Sequence, residues 1–408
     1  MKAIQFQYSL IRYALSRVVG HFYPPAFYGP FSLLRYLDVP EPSLPHPDWV
    51  KVQVKMAGIC GSDIHLICLH DSPSTSPFVS FPFIIGHENM GILCEVGSAV
   101  KDFQAGERVV VDPLLSCAPR GITPNCKHCQ QMEYSRCENF AKGNLSAGLT
   151  IGSCRDTGGG WSPLFVAHRS QVFKVPPEVS DDNATLVDGL CSALHPVMRN
   201  FPSDRDTVLI VGGGLIGLCT IASLRALGSK ARILALVKYG FQANLGRHFG
   251  ADQVIQMERR SDYYHEVAEA VGGTLYQPVL GKRVMTGGAD WVFECVGNDG
   301  SIDDALRFTQ AGGTVVLVGL ASIPRGIDWT PIWLKELKVT GSFCSSTENH
   351  RGRSIRTYQL ALDLMKEGRL DLSPLLTHRF RLEEYKKALD VLFHKERNQA
   401  VKVAFSWE

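Results

Sequence analysis

The sequence predicts an α/β protein with two domains, a β-rich first domain and a second domain built on a doubly wound parallel sheet. Short β-type segments separated by glycine and proline fill the first half, whereas strand-like and helix-like segments alternate from near Asp188 onward. A glycine-rich motif joins the first of those later strands to a helix. At 408 residues the chain is also too long for one ordinary core, which supports two domains.

Strand candidates in the first half are short, and helical periodicity is sparse there. The clearest candidates are the alternating segment Val50–Ala57, the apolar segment Gly91–Val96 and the valine-rich segment Arg108–Asp112. The first domain is therefore predicted to be irregular and mostly β.

The second half alternates between strands and helices, as a parallel sheet with right-handed crossovers does. The predicted strands are Thr207–Val211, Ala231–Val237, Gln253–Met257, Asp290–Cys295, Thr314–Val318 and Leu337–Phe343. Helices are predicted at Leu215–Leu227, Ile355–Glu367 and Glu383–His394, and a last strand at Val401–Phe405 is expected to return to the first domain. We therefore predict a first domain of residues 1–189 and 343–408 and a second domain of residues 190–342.

The composition is that of a soluble globular protein, with 45% hydrophobic residues, 20% charged residues and a net charge of +2. This charge gives no reason to expect a nucleic-acid or membrane partner, and no apolar run approaches the roughly 18–20 residues of a membrane span. The segment Ile11–Tyr23 is weakly basic and apolar but lacks the small-residue cleavage site of a targeting peptide. Twelve cysteines with a Cys-x-x-Cys spacing favour reduced thiols, so we expect a cytoplasmic protein.

The glycine motif predicts a dinucleotide site. Its residues Gly212, Gly213, Gly214, Leu215, Ile216 and Gly217 follow a strand and start a helix. The first glycine of such a motif allows a tight turn, the second lets the backbone approach a pyrophosphate, and the third lets helix and strand pack closely. Free N–H groups at the helix start would face the phosphates.

The second strand of this domain favours NADP over NAD. NAD usually needs a carboxylate about 20 residues beyond the glycines. Val237 occupies roughly that place, and no Asp or Glu occurs from Thr207 through Ala251. Lys238 follows, and a cation there can pair with a 2′-phosphate. The alternative is that Lys238 is a solvated strand end and that either nucleotide binds.

Four cysteines in one polar loop predict a structural zinc site. Cys126, Cys129 and Cys137 are spaced by two and seven residues, and Cys117 precedes them. Four thiolates saturate a tetrahedral zinc and leave no place for substrate. Independent buried thiols would not cluster so tightly, and a zinc-ribbon module for nucleic acid would need basic and aromatic neighbours that this loop mostly lacks.

A second set, Cys60, His87 and Asp188, offers a thiolate, an imidazole and a carboxylate. Three such protein ligands leave a fourth zinc position for water or substrate. The three residues lie far apart in sequence, so their spacing alone does not establish a site. Taken separately, Cys60 and His87 would be interpreted as a buried cysteine and a core histidine.

These motifs together resemble the zinc-dependent medium-chain alcohol dehydrogenase family, closest to its threonine, polyol and formaldehyde dehydrogenase-like branch. The resemblance rests on residues 58–65, the Gly86-His87-Glu88 triplet, the cysteine loop and the glycine motif, and it covers essentially the whole chain. It implies a GroES-like β-rich catalytic domain that holds both zincs and a Rossmann domain. It also implies that Cys60, His87 and Asp188 bind the catalytic zinc, and that Glu88 ligates this zinc directly or exchanges with water.

The resemblance further implies a zinc-dependent oxidoreductase that transfers hydride between a nicotinamide cofactor and a small alcohol or carbonyl substrate. Zinc lowers the pKa of bound water to about 7, so a bound alcohol should lose its proton near neutral pH. In the family pattern Ser62 passes this proton to His65, which releases it to solvent. Asp63 is expected to orient His87 from behind. We expect two zincs per chain and a homo-oligomer, either a dimer or a tetramer.

Several alternatives stay open. The family's usual cysteine loop has two residues between its first two cysteines, whereas this loop has eight. Cys191 lies three residues from Asp188 and competes with it as the third catalytic ligand. A zinc-free enone or quinone reductase of the same fold would not need the second metal set. A non-catalytic, zinc-stabilised nucleotide-binding protein would not need an intact proton relay.

Overall fold

The computed structural model describes residues 1–258 and 262–407, which divide into two units. The first unit comprises Met1–Asp188 and Cys344–Glu408, and the second comprises Gly189–Phe343. None of the helices among the described residues combines the length and the apolar composition needed to cross a membrane.

The strands of the described residues are, in chain order, β1 (Lys2–Phe6), β2 (Leu34–Asp38), β3 (Trp49–Gly58), β4 (Phe83–Ile84), β5 (Glu88–Val96), β6 (Arg108–Val111), β7 (Leu164–His168), β8 (Val172–Lys174), β9 (Thr207–Val211), β10 (Arg232–Val237), β11 (Gln253–Gln256), β12 (Thr274–Tyr276), β13 (Val284–Thr286), β14 (Ala289–Glu294), β15 (Thr309–Leu317), β16 (Lys338–Gly341), β17 (Thr347–His350), β18 (Arg353–Arg356), β19 (Leu376–Phe380) and β20 (Lys402–Ser406). The α-helices are α1 (Leu10–Phe22), α2 (Gly61–Ile67), α3 (Lys127–Gln130), α4 (Asp181–Thr185), α5 (Val187–Arg199), α6 (Leu215–Ala226), α7 (Gly240–His248), α8 (Tyr263–Val271), α9 (Asp299–Phe308), α10 (Thr330–Leu334), α11 (Thr357–Lys366), α12 (Tyr385–Phe393) and α13 (Lys395–Asn398). Short 3₁₀ turns lie at Pro24–Phe27, Pro73–Phe78, Tyr134–Arg136, Arg169–Gln171, Ser373–Leu375 and Leu382–Glu384.

The first unit is built on a mixed sheet in the order β19-β20-β3-β5-β6-β8, with β7 also paired to β3. Alternate side chains of β3, including Val50, Val52 and Val54, are buried in the core of this unit. The predicted return of the last strand is confirmed, because β20 pairs antiparallel with β3 and aligns Ala404 with Gly58. This pairing brings the end of the chain beside the loop that follows β3.

The second unit contains the predicted parallel sheet. Its strands lie in the order β11-β10-β9-β14-β15-β16, and neighbouring strands run parallel. Counted along the chain within this sheet, the order is 3-2-1-4-5-6, which is the doubly wound arrangement of dinucleotide-binding domains. The chain reverses its direction of travel across the sheet between β9 and β14. Ligands of such sheets bind at the carboxyl ends of the strands at this switch point.

Two differences from the sequence prediction concern helices. The helix predicted at Ile355–Glu367 begins only at Thr357, because Ile355 instead pairs with Glu348 in the β17–β18 hairpin. The first half, in which helical periodicity is sparse, nevertheless contains the 13-residue helix α1. The apolar side chains of this helix face outward. Helices are predicted from sequence by an apolar stripe that faces the core, so this helix was not predicted.

Candidate active site and metal centres

Cys60 is held at the start of α2. It is the N-cap residue of this helix, and its backbone N–H donates a hydrogen bond to Asp63 Oδ2 over 2.8 Å. The preceding strand β3 ends at Gly58, where a side-chain Cβ would lie 2.1 Å from Glu88 Oε2. Glycine is therefore required at position 58, because only its missing side chain leaves room for the Glu88 carboxylate.

His87 lies between Asp63 and Ser62. Its Nδ1 is 3.4 Å from Asp63 Oδ1, and its Nε2 is 3.4 Å from Ser62 Oγ. Burial alone would lower the pKa of His87, but the carboxylate of Asp63 and the neighbouring Cys60 outweigh burial and raise it well above its usual value. The surroundings of the imidazole therefore favour positive charge, as a site for a cation requires.

Glu88 is the first residue of β5 and is buried. Its carboxylate accepts a hydrogen bond from the ammonium group of Lys402, which also donates to the carbonyl of Ile59 over 3.2 Å. Lys402 is itself 3% exposed, so the two charges form a buried ion pair. Sequence reasoning missed Lys402. The predicted return of the last strand was the one signal that pointed to this neighbourhood.

The structure brings Cys60, His87 and Glu88 together, and we call these three residues the open site. One potential ligand atom from each lies within 4.8 Å of those of the other two. Thiolate, imidazole and carboxylate are donors that zinc accepts, so the open site fits zinc. Asp188, the fourth residue predicted for the site, does not belong to this group.

Asp188 nevertheless interacts electrostatically with two residues of the open site, His87 and Glu88. Burial raises its pKa to about 7, the charge of Glu88 adds to this effect, and His87 opposes it. Its carboxylate also accepts a hydrogen bond from the hydroxyl of Tyr358, which sequence reasoning missed as well. A nearby cation would favour the ionised form of this carboxyl group.

Ser62 and His65 both lie on α2. The pKa of His65 is lowered, mainly by burial and further by His70 and Lys395. A lowered pKa keeps the imidazole neutral at neutral pH, so it can accept a proton. Its Nδ1 is buried without a hydrogen-bond partner among the described residues, and this atom therefore offers an unused donor or acceptor in the last turn of α2.

Cys117, Cys126, Cys129 and Cys137, which we call the cysteine quartet, also come together. Their sulfur atoms lie within 4.8 Å of one another. The backbone N–H of Cys126 donates to Cys117 Sγ over 3.4 Å, and the side-chain amide of Asn139 donates to the same sulfur over 3.2 Å. A hydrogen bond from Cys129, assisted by the backbone N–H of Asn139, lowers the pKa of Cys137 to about 5. Four thiols with such donors fit a closed zinc site.

A buried arginine organises the loop that carries the cysteine quartet. The guanidinium group of Arg120 is inaccessible to solvent and donates hydrogen bonds to the backbone carbonyls of Leu115, Lys142, Leu145, Ser146 and Gly148. These bonds tie the two ends of the loop together. A polar loop that lacks a large core is thus held by one side chain in addition to the cysteine quartet.

The glycine motif lies in the second unit, between β9 and α6. Gly212 has a φ of +111°, which L side chains rarely adopt. A Cβ at Gly217 would lie 1.9 Å from the carbonyl oxygen of Gly212, so the helix can pack this closely only with glycine at position 217. Gly214 is the N-cap residue of α6 and supplies no side-chain cap to the helix. The first N–H groups of α6 therefore need another acceptor, and a phosphate fits this role.

Val237 and Lys238 lie at the end of β10, beside the motif. A Cβ at Gly213 would lie 2.7 Å from Val237 Cγ1, which shows how close the two strand ends are. The ammonium group of Lys238 is 5.3 Å from the centre of the Tyr239 ring. The backbone N–H groups of Lys238 and Tyr239 both donate to Gln242 Oε1, so the start of α7 is capped by its own side chain.

Comparisons with known proteins agree with both units. Residues 46–177 match the family model described as the alcohol dehydrogenase GroES-like domain, and residues 216–367 match the model described as zinc-binding dehydrogenase. The chain is 32% identical to L-idonate 5-dehydrogenase of Vitis vinifera over 360 residues, which are 88% of this chain and 87% of the relative. It is 27% identical to L-threonine 3-dehydrogenase of Paraburkholderia phytofirmans over 368 residues, which are 90% and 95% of the two chains. A Sinorhizobium meliloti 1021 protein, solved with NADP bound, is 27% identical and superposes with a TM-score of 0.69 over 91% of this chain and 95% of its own.

Proposed function

The chain belongs to the zinc-dependent medium-chain alcohol dehydrogenase family and is an NAD(P)-dependent oxidoreductase, and from this premise we propose which residues carry its reaction. The observation that supports the proposal most directly is the open site, where Cys60, His87 and Glu88 lie within 4.8 Å of one another. We propose a small polyol or hydroxy acid as substrate, in keeping with the names of the relatives.

We propose two zincs per chain, one in the open site and one in the cysteine quartet. In the open site Cys60 and His87 would hold the metal. The carboxylate of Asp63 would orient the imidazole of His87 by contacting the Nδ1 atom of that ring. When bound there, zinc supplies a Lewis acid that makes a hydroxyl group more acidic or polarises a carbonyl group. The cysteine quartet would hold a metal without an open position and would therefore serve the fold.

The chain's own residues would then handle the proton. Ser62 Oγ contacts the imidazole of His87, so the hydroxyl stands beside the open site. A serine hydroxyl can accept a proton from a substrate and donate its own onward. His65, kept neutral by burial, would accept that proton on the same helix.

The third zinc ligand in our proposal is Asp188. Glu88 is paired with the ammonium group of Lys402, whose positive charge would repel a metal ion bound to the same carboxylate. Asp188 is held by the hydroxyl of Tyr358, which can stay in place while the second carboxylate oxygen binds. The ion pair with Lys402 would thus keep Glu88 from binding the metal, and Asp188 would supply the carboxylate ligand.

Asp188→Asn is expected to lower both zinc occupancy of the open site and turnover, by about 10- to 100-fold, because an amide is a poorer zinc ligand than a carboxylate. Cys191→Ala should leave both nearly unchanged and cost mainly packing, and Glu88→Gln should have a smaller effect than Asp188→Asn. Zinc analysis and steady-state kinetics of the three variants measure these effects. A larger loss in Cys191→Ala or in Glu88→Gln would reassign the ligand to that residue.

We also propose that the enzyme prefers NADP. Lys238 is exposed at the end of β10 and contacts a ring rather than a carboxylate, so its charge is available for a phosphate. Val237 offers no acceptor for a ribose hydroxyl, and no acidic residue lies nearby in sequence to repel a 2′-phosphate. The NADP bound to the Sinorhizobium meliloti protein supports the same preference.

Lys238→Ala is expected to weaken NADP binding by about ten- to a hundredfold and to leave NAD binding nearly unchanged, because a charge-assisted bond is lost. Val237→Asp should shift preference toward NAD by adding an acceptor and a repelling charge. Catalytic efficiencies with both nucleotides, followed by nicotinamide absorbance across a panel of polyols and hydroxy acids, test this preference together with the substrate class. Equal or higher wild-type efficiency with NAD would contradict the NADP assignment alone.

We further propose a homo-oligomer, a dimer or a tetramer, in the cytoplasm. As the described residues form it, the sheet of the second unit ends at β16, near the exposed side chains of Trp333, Leu334 and Val339. An uncovered sheet edge with exposed apolar side chains favours pairing with another chain. The thiolates of the cysteine quartet need a reducing compartment, which supports the cytoplasm.

A further inference from the structure

The helix α1 turns two small residues inward and its apolar side chains outward. Ser16 and Gly20 are its buried residues, and a Cβ at Gly20 would lie 2.4 Å from the Phe27 ring. Arg12 donates to the carbonyls of Pro30 and Ser32 over 3.1 and 3.3 Å. An ordinary surface helix buries its apolar stripe instead.

The outer side of this helix carries a continuous apolar surface, which we call the α1 apolar face. Its members are exposed, with Ile11 at 75% and Phe22 at 83%, and they are Leu10, Ile11, Leu15, Val18, Val19 and Phe22. At 100° per residue these side chains cover about half of the helix circumference. Single exposed apolar residues are common on protein surfaces, but six on one helix face indicate a surface that something covers.

The pairing of β1 with β2 does not require a helix in the connection between them. β1 and β2 pair antiparallel with Phe6 opposite Leu34, and such a pair is usually joined by a loop of about two to five residues. Here the connection includes α1 and the turn Pro24–Phe27. The segment also precedes residues 46–177, the first stretch that matches a family model. A role separate from hydride transfer is therefore consistent with its position.

The charged side chains in the stretch of sequence that carries α1 have one sign. No Asp or Glu occurs from Ala3 through Leu37, whereas Arg12, Arg17 and Arg35 lie in this stretch. Arg17 donates to the carbonyl of Leu69 over 2.9 Å and to the hydroxyl of Tyr13 over 3.2 Å, and neither partner neutralises its charge. The surface that covers this face is therefore expected to be negatively charged.

A second copy of the chain fits this face poorly. A helix of 13 residues is about 20 Å long and about 10 Å wide, so one face of it covers about 200 Å². A stable protein interface buries roughly 800 Å² per partner, which is well above this area. Pairing two copies would also bring like charges together. Exposed aromatic side chains flank the helix in sequence at Tyr8 and Tyr23, a composition typical of the water–lipid boundary.

We propose that the α1 apolar face docks in the plane of an anionic lipid bilayer, with its apolar side chains in the headgroup region and the exposed Arg17 on lipid phosphates and carboxylates. The net charge of the whole chain predicts no membrane partner, but it averages over a surface whose charge is locally one-sided. Docking of this kind needs no spanning helix, and it would hold the enzyme reversibly at a membrane.

The test is flotation of the full-length enzyme with vesicles of phosphatidylcholine, either pure or mixed with phosphatidylserine. Wild type is expected to float with the mixed vesicles, less with pure phosphatidylcholine, and less at high salt. The double variant Ile11→Glu with Phe22→Glu and the single variant Val18→Glu should each lower binding by about tenfold or more. Val279→Glu is the matched control, because Val279 is 99% exposed at a hairpin of the second unit, and its binding should equal that of wild type.

Zinc content and dehydrogenase activity of all variants should match those of wild type, which separates a docking defect from a folding defect. If wild type stays in the unbound fraction and does not float with the mixed vesicles, the proposal is wrong. Variants that float as wild type does would also overturn it. A change from a larger to a smaller oligomer in Val18→Glu, without vesicle binding by wild type, would instead assign the face to a second copy.

Discussion

Cys60→Ser is expected to abolish turnover while leaving the protein folded. A serine hydroxyl does not ionise near neutral pH as a thiol does, so the open site loses its anionic sulfur ligand and with it the zinc. A Lewis acid contributes several kcal/mol to the reaction, so activity should fall to about one-thousandth of wild type or less. Steady-state kinetics with the better nucleotide measure the loss.

The matched control for this substitution is Cys94→Ser, because Cys94 is exposed and belongs to neither metal group. It should retain wild-type activity. Cys60→Ser should also unfold at nearly the wild-type temperature, since the backbone N–H of Cys60, which donates to Asp63 at the start of α2, is the same in both proteins. Turnover of Cys60→Ser within a few fold of wild type would show that the reaction does not use the open site.

Cys129→Ser is expected to produce the largest loss of stability. Structural zinc contributes folding free energy, and removal of one thiolate leaves a loop that has little core of its own. We expect a loss of about 3 kcal/mol, which for a unit of this size lowers the unfolding temperature by roughly 6–12 °C. Thermal unfolding followed by circular dichroism, with Cys94→Ser as control, measures the shift.

The hydrogen bonds of Arg120 limit how much stability is lost when the cysteine quartet loses its zinc. The guanidinium group of this arginine would still hold the backbone carbonyls of the loop after zinc is lost, so the first unit should stay folded at ambient temperature. The residual turnover of Cys129→Ser should then exceed that of Cys60→Ser. An unchanged unfolding temperature in Cys129→Ser would mean that the cysteine quartet holds no metal in the folded protein.

Features that are local in sequence could be predicted well. The glycine motif needs only a strand, three glycines and a helix in succession, and Gly212 and Gly217 have the conformation and the close packing that this motif requires. The cysteine quartet lies within one loop, so spacing alone indicated a shared site. The parallel order of the second sheet followed from alternating strands and helices, whose crossovers have a fixed hand.

Partners that are distant in sequence could not be predicted in this way. Lys402 and Glu88 are 314 residues apart, and Tyr358 and Asp188 are 170 apart. No periodicity or spacing encodes such contacts, because they depend on how β20 and α11 return to the first unit. The helix α1 was missed for a different reason, since sequence patterns are interpreted on the assumption that apolar side chains face a core.

A zinc count on freshly purified enzyme tests the two-site proposal most directly. Inductively coupled plasma mass spectrometry of wild type should find two zincs per chain. Cys60→Ser should retain one zinc with its stability, and Cys129→Ser should lose the zinc of the cysteine quartet with part of its stability. One zinc or none in wild type, or two in Cys60→Ser, would contradict an open catalytic site beside a closed structural one.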